Sequence, residues 1–207
     1  MEMLESSVML LMLLNPFLVI LYLIDVVKKQ SRATFSRNIF KAALWSSIVL
    51  IIFALLGDFI FKQLLGAEFE SFQIFGGIIF LLVGVQFVLK GTNAIDSLRG
   101  DSENVSSAIA MPILIGPGTI SVSVLIGKRL SPLNAALSIA VTVFISAGTM
   151  VLLKMIHDYI KPRKEALIEQ YMETAGKIMA LYIGAFSVNM IMSGIGGWIE
   201  KFPHFVK

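Results

Sequence analysis

The chain has 207 residues, of which 57% are hydrophobic and only 15% charged. Soluble domains carry roughly 25% charged residues, so this composition points to an integral membrane protein without a separate soluble domain. There is no cysteine, which excludes disulfides, thiolate metal sites and cysteine nucleophiles, and the net charge of +3 is too small to imply a nucleic-acid partner.

Six apolar segments follow one another, each close to the ~20 residues that cross ~30 Å of hydrocarbon. Segment 1 (6–24) is preceded by Glu2 and Glu5 rather than by Lys or Arg, and no small-residue cleavage site follows. It therefore reads as mature structure and not as a signal peptide. Its middle, "LLNPFLVI", holds Asn15 and Pro16. Segment 2 (42–61) contains the only charge inside any segment, Asp58, near its end. Segment 3 (72–89) includes Gln86, and Gly77, Gly84 and Gly91 recur at seven-residue intervals from it into the following connection, a pattern suited to close helix packing. Segment 4 (104–127) is interrupted by "MPILIGPGTIS" (111–121), and segment 5 (130–153) carries Thr142, Ser146 and Thr149. The stretch "KEALIEQYME" (164–173) reads as a short interfacial helix. Segment 6 (178–199) holds Ser187, Asn189 and the "SGIGG" run. Asp25, Asp58 and Lys154 lie near span ends and are expected to sit in the interface or snorkel.

Orientation follows from the distribution of Lys and Arg. The 1–2, 3–4 and 5–6 connections hold twelve of them, and all remaining parts hold five. The Lys-rich side is expected to be cytoplasmic, with both termini outside.

The chain also repeats. Proline stands at mid-span in segments 1 and 4 (Pro16, Pro117), "KAAL" (41–44) and "NAAL" (134–137) open segments 2 and 5, and "FGGIIFLLVGVQF" (75–87) aligns with "AGKIMALYIGAFS" (175–187). The prolines are 101 positions apart and the glycines 100. The expected fold is therefore an all-α membrane protein, one transmembrane domain over 1–207, with repeats 1–100 and 101–207. Three segments per half, an odd number, place the second half upside down. The result is six helices in two inverted three-helix repeats, with helices 1 and 4 discontinuous, a recurrent transporter design.

"AMPILIGPGTIS" (110–121), the Asn-Pro at 15–16 and the 3+3 layout together resemble the MarC family of bacterial inner-membrane proteins, over essentially the whole chain. Members usually have glycine after the first-half Asn-Pro, where this chain has Phe17 and Leu18. The resemblance implies two inverted repeats with helices 1 and 4 discontinuous. It also implies transport of small neutral amino acids such as glycine and alanine, the activity of the members called SnatA.

The chemistry of the breaks can be read independently. Pro117 offers no N–H to the carbonyl of Ile113, nor Pro16 to that of Met12. Irregular backbone survives at membrane depth only inside protein or beside a watery cavity. One half-helix is expected to end near Ile115 and another to start near Gly118 or Thr119, with Thr119 as its N-cap. The new N-terminus carries partial positive charge for a carboxylate, and the freed carbonyls accept from an ammonium. No ionisable residue lies at the centre of a segment, so the substrate should carry no net charge. The expected substrate-binding set is Asn15, Pro16, Ile115, Gly116, Pro117, Gly118, Thr119, Ser121, Gln86 and Asn189.

No catalytic residues or metal ligands are expected. His157 and His204 lie outside the spans, no H-E-x-x-H motif occurs, and no phosphate loop is present. The function expected is a secondary transporter of a small neutral or zwitterionic solute in the inner membrane, without cofactor, with H⁺ or Na⁺ left open as coupling ion. A channel-like pore and a non-transporting scaffold are the alternatives. The expected partners are the lipid bilayer, the small-molecule substrate and, through small-residue faces, further copies of the chain.

Overall fold

The computed structural model describes residues 2–16, 19–20, 27, 30–90 and 114–201, and among these every element is helical. Phe17, Leu18, Asp25, Gly91, His204 and the first part of segment 4 (104–113) lie outside the described residues, as do the side chains of Asp58 and of 164–173.

Local chemistry sets the helix ends. α1 (Glu2–Leu14) has Glu2 and Glu5 in its first turn, where negative charge complements the exposed N–H groups. α2 (Arg32–Phe59) is opened by Ser31, whose hydroxyl accepts from the Thr34 N–H, the N-cap arrangement. It continues into one π-helical turn, Ile60–Leu64. The chain reverses at Gly66, whose φ of 59° is a left-handed conformation natural to glycine. α3 (Phe69–Lys90) follows. α4 (Pro117–Arg129) starts on proline, whose missing N–H costs nothing in the first turn, and ends on Lys128 and Arg129. α5 (Pro132–Lys201) is helical over 70 residues.

A straight helix of that length would measure about 105 Å. Yet the last turn of α4, just before α5, and the far end of α5 both meet the start of α3. Lys128, just before α5, lies 5.1 Å from the Phe69 ring centroid, and Lys201 pairs with Glu68 and Glu70 at 2.7 Å each. α5 therefore doubles back between its two apolar stretches. The first packs on α2, where Phe40 and Phe144 stack with centroids 6.3 Å apart. The second packs on α3 through glycine. A Cβ at Gly77 would meet the Ser187 carbonyl at 2.8 Å, and one at Gly84 the Ala180 carbonyl at 3.2 Å. Small residues let membrane helices approach this closely.

Among the described residues, four stretches are long and apolar enough to cross a bilayer: Arg32–Gly57, Phe69–Gln86, Pro132–Tyr159 and Ala180–Lys201. They correspond to segments 2, 3, 5 and 6. α1 and α4, from segments 1 and 4, have 13 residues each, about 20 Å of helix against ~30 Å of hydrocarbon.

Burial repeats with a period of 100. Phe35, Ile39, Ala42, Ala43, Ser46, Ser47, Leu50 and Ala54 are buried, and so are Ala135, Ile139, Thr142, Val143, Ser146, Ala147, Met150 and Lys154. "KAAL" and "NAAL" are 93 positions apart, so their match is slipped by seven residues, about two helical turns. Such a slip keeps the same face inward, and the burial follows the offset of 100 shown by the glycines.

α4 crosses α2 with almost no clearance. A Cβ at Gly127 would lie 1.8 Å from the Ala54 carbonyl oxygen, whereas one at Gly148 meets nothing within 4 Å. Gly127→Ala should therefore cost about 1–3 kcal/mol as an overpacked site, lowering the thermal midpoint in detergent by several degrees. Gly148→Ala should leave that midpoint unchanged or raise it, because alanine is the better helix residue by roughly 0.5–1 kcal/mol.

Candidate functional site

α1 stops at Leu14, and Asn15 takes a φ of 28°. Asn tolerates this left-handed conformation better than most side-chain-bearing residues. Asn15 is only 6% exposed, its N–H still donates to the Leu11 carbonyl at 3.0 Å, and its carbonyl accepts from Val19 N–H at 3.1 Å. Pro16 is buried beside it and has no N–H for the Met12 carbonyl.

The second irregular stretch runs through Ile115 and Gly116, the latter extended (φ −102°, ψ 167°) and forming the N-cap of α4. Thr119 does not cap the helix as expected; it sits at the third helical position and reaches back. Its hydroxyl accepts from the Gly116 N–H at 2.9 Å and faces the Leu114 and Gly116 carbonyls, each at 3.0 Å, as alternative acceptors for its one proton. One hydroxyl thus satisfies the chain where the helix fails to, deep inside the protein. The start of α4 is seated on α3. Pro117 rests where Gly76 leaves room, and a Cβ at Gly118 would lie 2.1 Å from the Phe80 ring.

α1 and α4 touch each other, and Leu14 and Leu114 share one apolar core. The structure thus brings Asn15, Pro16 and 115–119 onto adjoining elements. Ser121 follows on α4, buried, and its hydroxyl has no protein partner. Gln86 is half-buried with its side-chain oxygen unpartnered, six residues past Phe80 on α3. Asn189 is exposed and does not join this group.

Ser146 stood out in the sequence as a mid-span polar residue, but its relation to Ser46 and Ser47, and the burial of Lys154, did not. The hydroxyls of Ser46, Ser47 and Ser146 are buried without partners, although serine in a membrane helix ordinarily bonds to its own backbone, as Ser123, Thr142 and Ser187 do here. Ser46 and Ser146 are 100 positions apart and both are 0% exposed. Lys154, expected to snorkel, is instead 3% exposed and donates to the Val27 carbonyl and to Asp158 Oδ1. The spacing of Lys154 and Asp158 by four residues was the available signal.

A half-open groove of about 260 Å³ lies between the end of α2 and α4, lined by Ala54, Leu55, Leu56, Gly57, Phe59, Val124, Gly127 and Lys128. That is room for several water molecules at ~30 Å³ each. Among the described residues no group of three or more His, Asp or Glu could hold a metal ion.

A family model described as MarC family integral membrane protein matches residues 1–199. A UPF0056 membrane protein of Methanocaldococcus jannaschii is 30% identical over 78% of this chain and 72% of its own length. One from Aquifex aeolicus is 21% identical over 92% of this chain and 91% of its own. The Escherichia coli protein YhcE, of the same description, is 25% identical over 89% and 87%. No solved structure matches this chain.

Thr119→Val keeps the side-chain shape but removes the hydroxyl, leaving the Gly116 N–H and the Leu114 carbonyl unpaired. A loss of about 1–3 kcal/mol per orphaned group is expected, read as a lower thermal midpoint and faster amide exchange at Gly116. Thr119→Ser should retain both properties.

Proposed function

The chain belongs to the MarC family of integral membrane proteins, and on that premise we propose that it is a secondary transporter of a small zwitterionic solute such as glycine or alanine. It works by alternating access in the inner membrane, from six segments arranged as two inverted three-helix repeats, with segments 1 and 4 discontinuous and both termini outside. The observation that carries this reading is the pair Ser46 and Ser146, equivalent in the two halves, fully buried and unpartnered. An unpaired buried hydroxyl costs about 1–3 kcal/mol. Two of them at matching positions are best explained by a polar ligand that comes and goes. The repeat in burial supports the same view, since transporter sites lie where two repeats meet.

The two irregular stretches at Asn15–Pro16 and Ile115–Gly116 have the chemistry that suits a zwitterion. The N-terminal end of α4 at Gly116–Gly118 offers partial positive charge to a carboxylate, and the Met12 carbonyl released by Pro16 accepts from an ammonium. Phe80, packed on Gly118, covers that helix end and must swing aside to admit a solute. The inward-facing hydroxyl of Ser121 adds a further polar contact. With no ionisable side chain at these positions, a solute of net charge would lack a counter-ion and be rejected.

Uptake of labelled glycine and alanine into proteoliposomes, under imposed H⁺ or Na⁺ gradients, tests the reading. Saturable flux with counterflow of unlabelled solute is expected, with one of the two gradients driving accumulation. Ser46→Ala and Ser146→Ala should each raise the half-saturation concentration about tenfold, the equivalent of ~1.4 kcal/mol. Linear flux without counterflow would replace the carrier by a pore, and no movement of either amino acid would overturn the assigned solute.

A further inference from the structure

The second apolar stretch of α5 turns only one of its sides to α3. Ala180, Ser187, Ile191 and Gly194 lie against α3, at the three- and four-residue spacings of a single helix face. The opposite face is formed by Ile178, Tyr182, Ala185, Asn189, Met192 and Gly196, and all six are exposed. Their spacing alternates strictly between four and three residues, the seam of a paired helix.

Asn189 stands at the centre of the span Ala180–Lys201. It is 12 residues from Lys201, about 18 Å of helix, and the ion pairs of Lys201 with Glu68 and Glu70 mark the end of the bundle. Hydrocarbon is ~30 Å thick, so this carboxamide faces the middle of the bilayer. No water is present there to meet its two N–H donors or its oxygen, and a polar group left unpaired at that depth is costly. The outward face of α2 is built differently, from Leu44, Trp45, Ile48, Ile52 and Leu55. Around Asn189 the face is instead lowered by Ala185 and Gly196, and a Cβ at Gly196 would meet nothing within 4 Å.

A second copy of the chain fits this face better than lipid does. A carboxamide both donates and accepts, so two asparagines facing each other across a two-fold axis satisfy one another, as an isologous interface requires. One asparagine in an otherwise uncharged seam is a device that fixes register and number of strands in paired helices. Small residues beside it admit close backbone approach. No charged residue occurs from Ile178 to Ile199 to repel an identical face.

We propose that this face of α5 is a homodimer interface, with the Asn189 side chains of the two copies hydrogen-bonded across the two-fold axis near the bilayer midplane. The interface stands whether or not the protein carries a solute.

The chain has no cysteine, so single introduced thiols report without a background to remove. In liposomes under mild copper–phenanthroline oxidation, Ala185→Cys and Met192→Cys should each give a disulfide-linked dimer, and Leu44→Cys, on the outward face of α2, should not. Energy transfer between copies labelled at the C-terminus, measured over a series of protein-to-lipid ratios, gives the dimer dissociation constant. Asn189→Leu should raise that constant roughly three- to tenfold, the range expected for an interhelical polar contact in a membrane. Asn189→Gln, which keeps the carboxamide, should stay closer to the parent chain. Because Asn189 is exposed, the leucine variant should keep the parent thermal midpoint in detergent, which separates lost pairing from lost fold. Absence of energy transfer at every ratio would overturn the dimer. A constant unchanged by Asn189→Leu, or cross-linking through Leu44→Cys and not through Ala185→Cys, would overturn this face as its interface.

Discussion

A backbone carbonyl or N–H at membrane depth has to find its partner inside the protein, and the architecture at Asn15–Pro16 and Leu114–Thr119 follows from that constraint. Water cannot serve as the default partner in hydrocarbon, so an interrupted helix must be repaired or covered. Thr119 performs the repair, giving and accepting hydrogen bonds across the gap with one hydroxyl. α3 provides the cover, with Gly76 admitting Pro117 and Phe80 closing over Gly118. The same contacts that make the break tolerable also place it at the meeting of α1, α3 and α4.

Small residues carry the remaining packing. Gly77, Gly84 and Gly194 let the last apolar stretch lie against α3 at backbone distance, and Gly127 does the same for α4 on α2. Lipid gives helices no hydrophobic reason to associate, so close van der Waals contact has to supply the stabilisation. The polar groups are distributed on a different principle. Ser123, Thr142 and Ser187 return their protons to the backbone, while Ser46, Ser121 and Ser146 keep theirs facing inward. That difference separates hydroxyls that serve the helix from hydroxyls without a protein partner. Charge is kept to the ends of the bundle, at Lys154 with Asp158 on one side and Lys201 with Glu68 and Glu70 on the other.

Much of this was legible beforehand. The apolar segments, Gly77 and Gly84 as packing positions, and the irregular backbone around Asn15 and Gly116 all follow from residue type and spacing. The role of Thr119 was misplaced, because capping at the first position and at the third use the same residue types and differ only in where the helix begins. Asn189 looked like a site residue because it is polar and mid-span. On a helix, however, the facing of one residue depends on neighbours elsewhere in the chain, and Asn189 turns outward. Lys154 was misread for the converse reason. Near a span end a lysine ordinarily reaches water; this one is held inside by the distant Val27 carbonyl and by Asp158, one turn on, which Arg32 also contacts.

The sequence by itself determined that the chain enters a membrane, which stretches are apolar enough to cross it, and that two of them carry proline at mid-span. Each of these depends on local composition, hydrophobic length and the missing N–H of proline. The tertiary structure decided which hydroxyls are left without partners, that Thr119 bridges the gap from inside α4, and that Lys154 is held inside the protein. Those properties arise from where a helix begins and from contacts between residues far apart in the chain, and a helix carries the same local sequence whichever neighbour it meets.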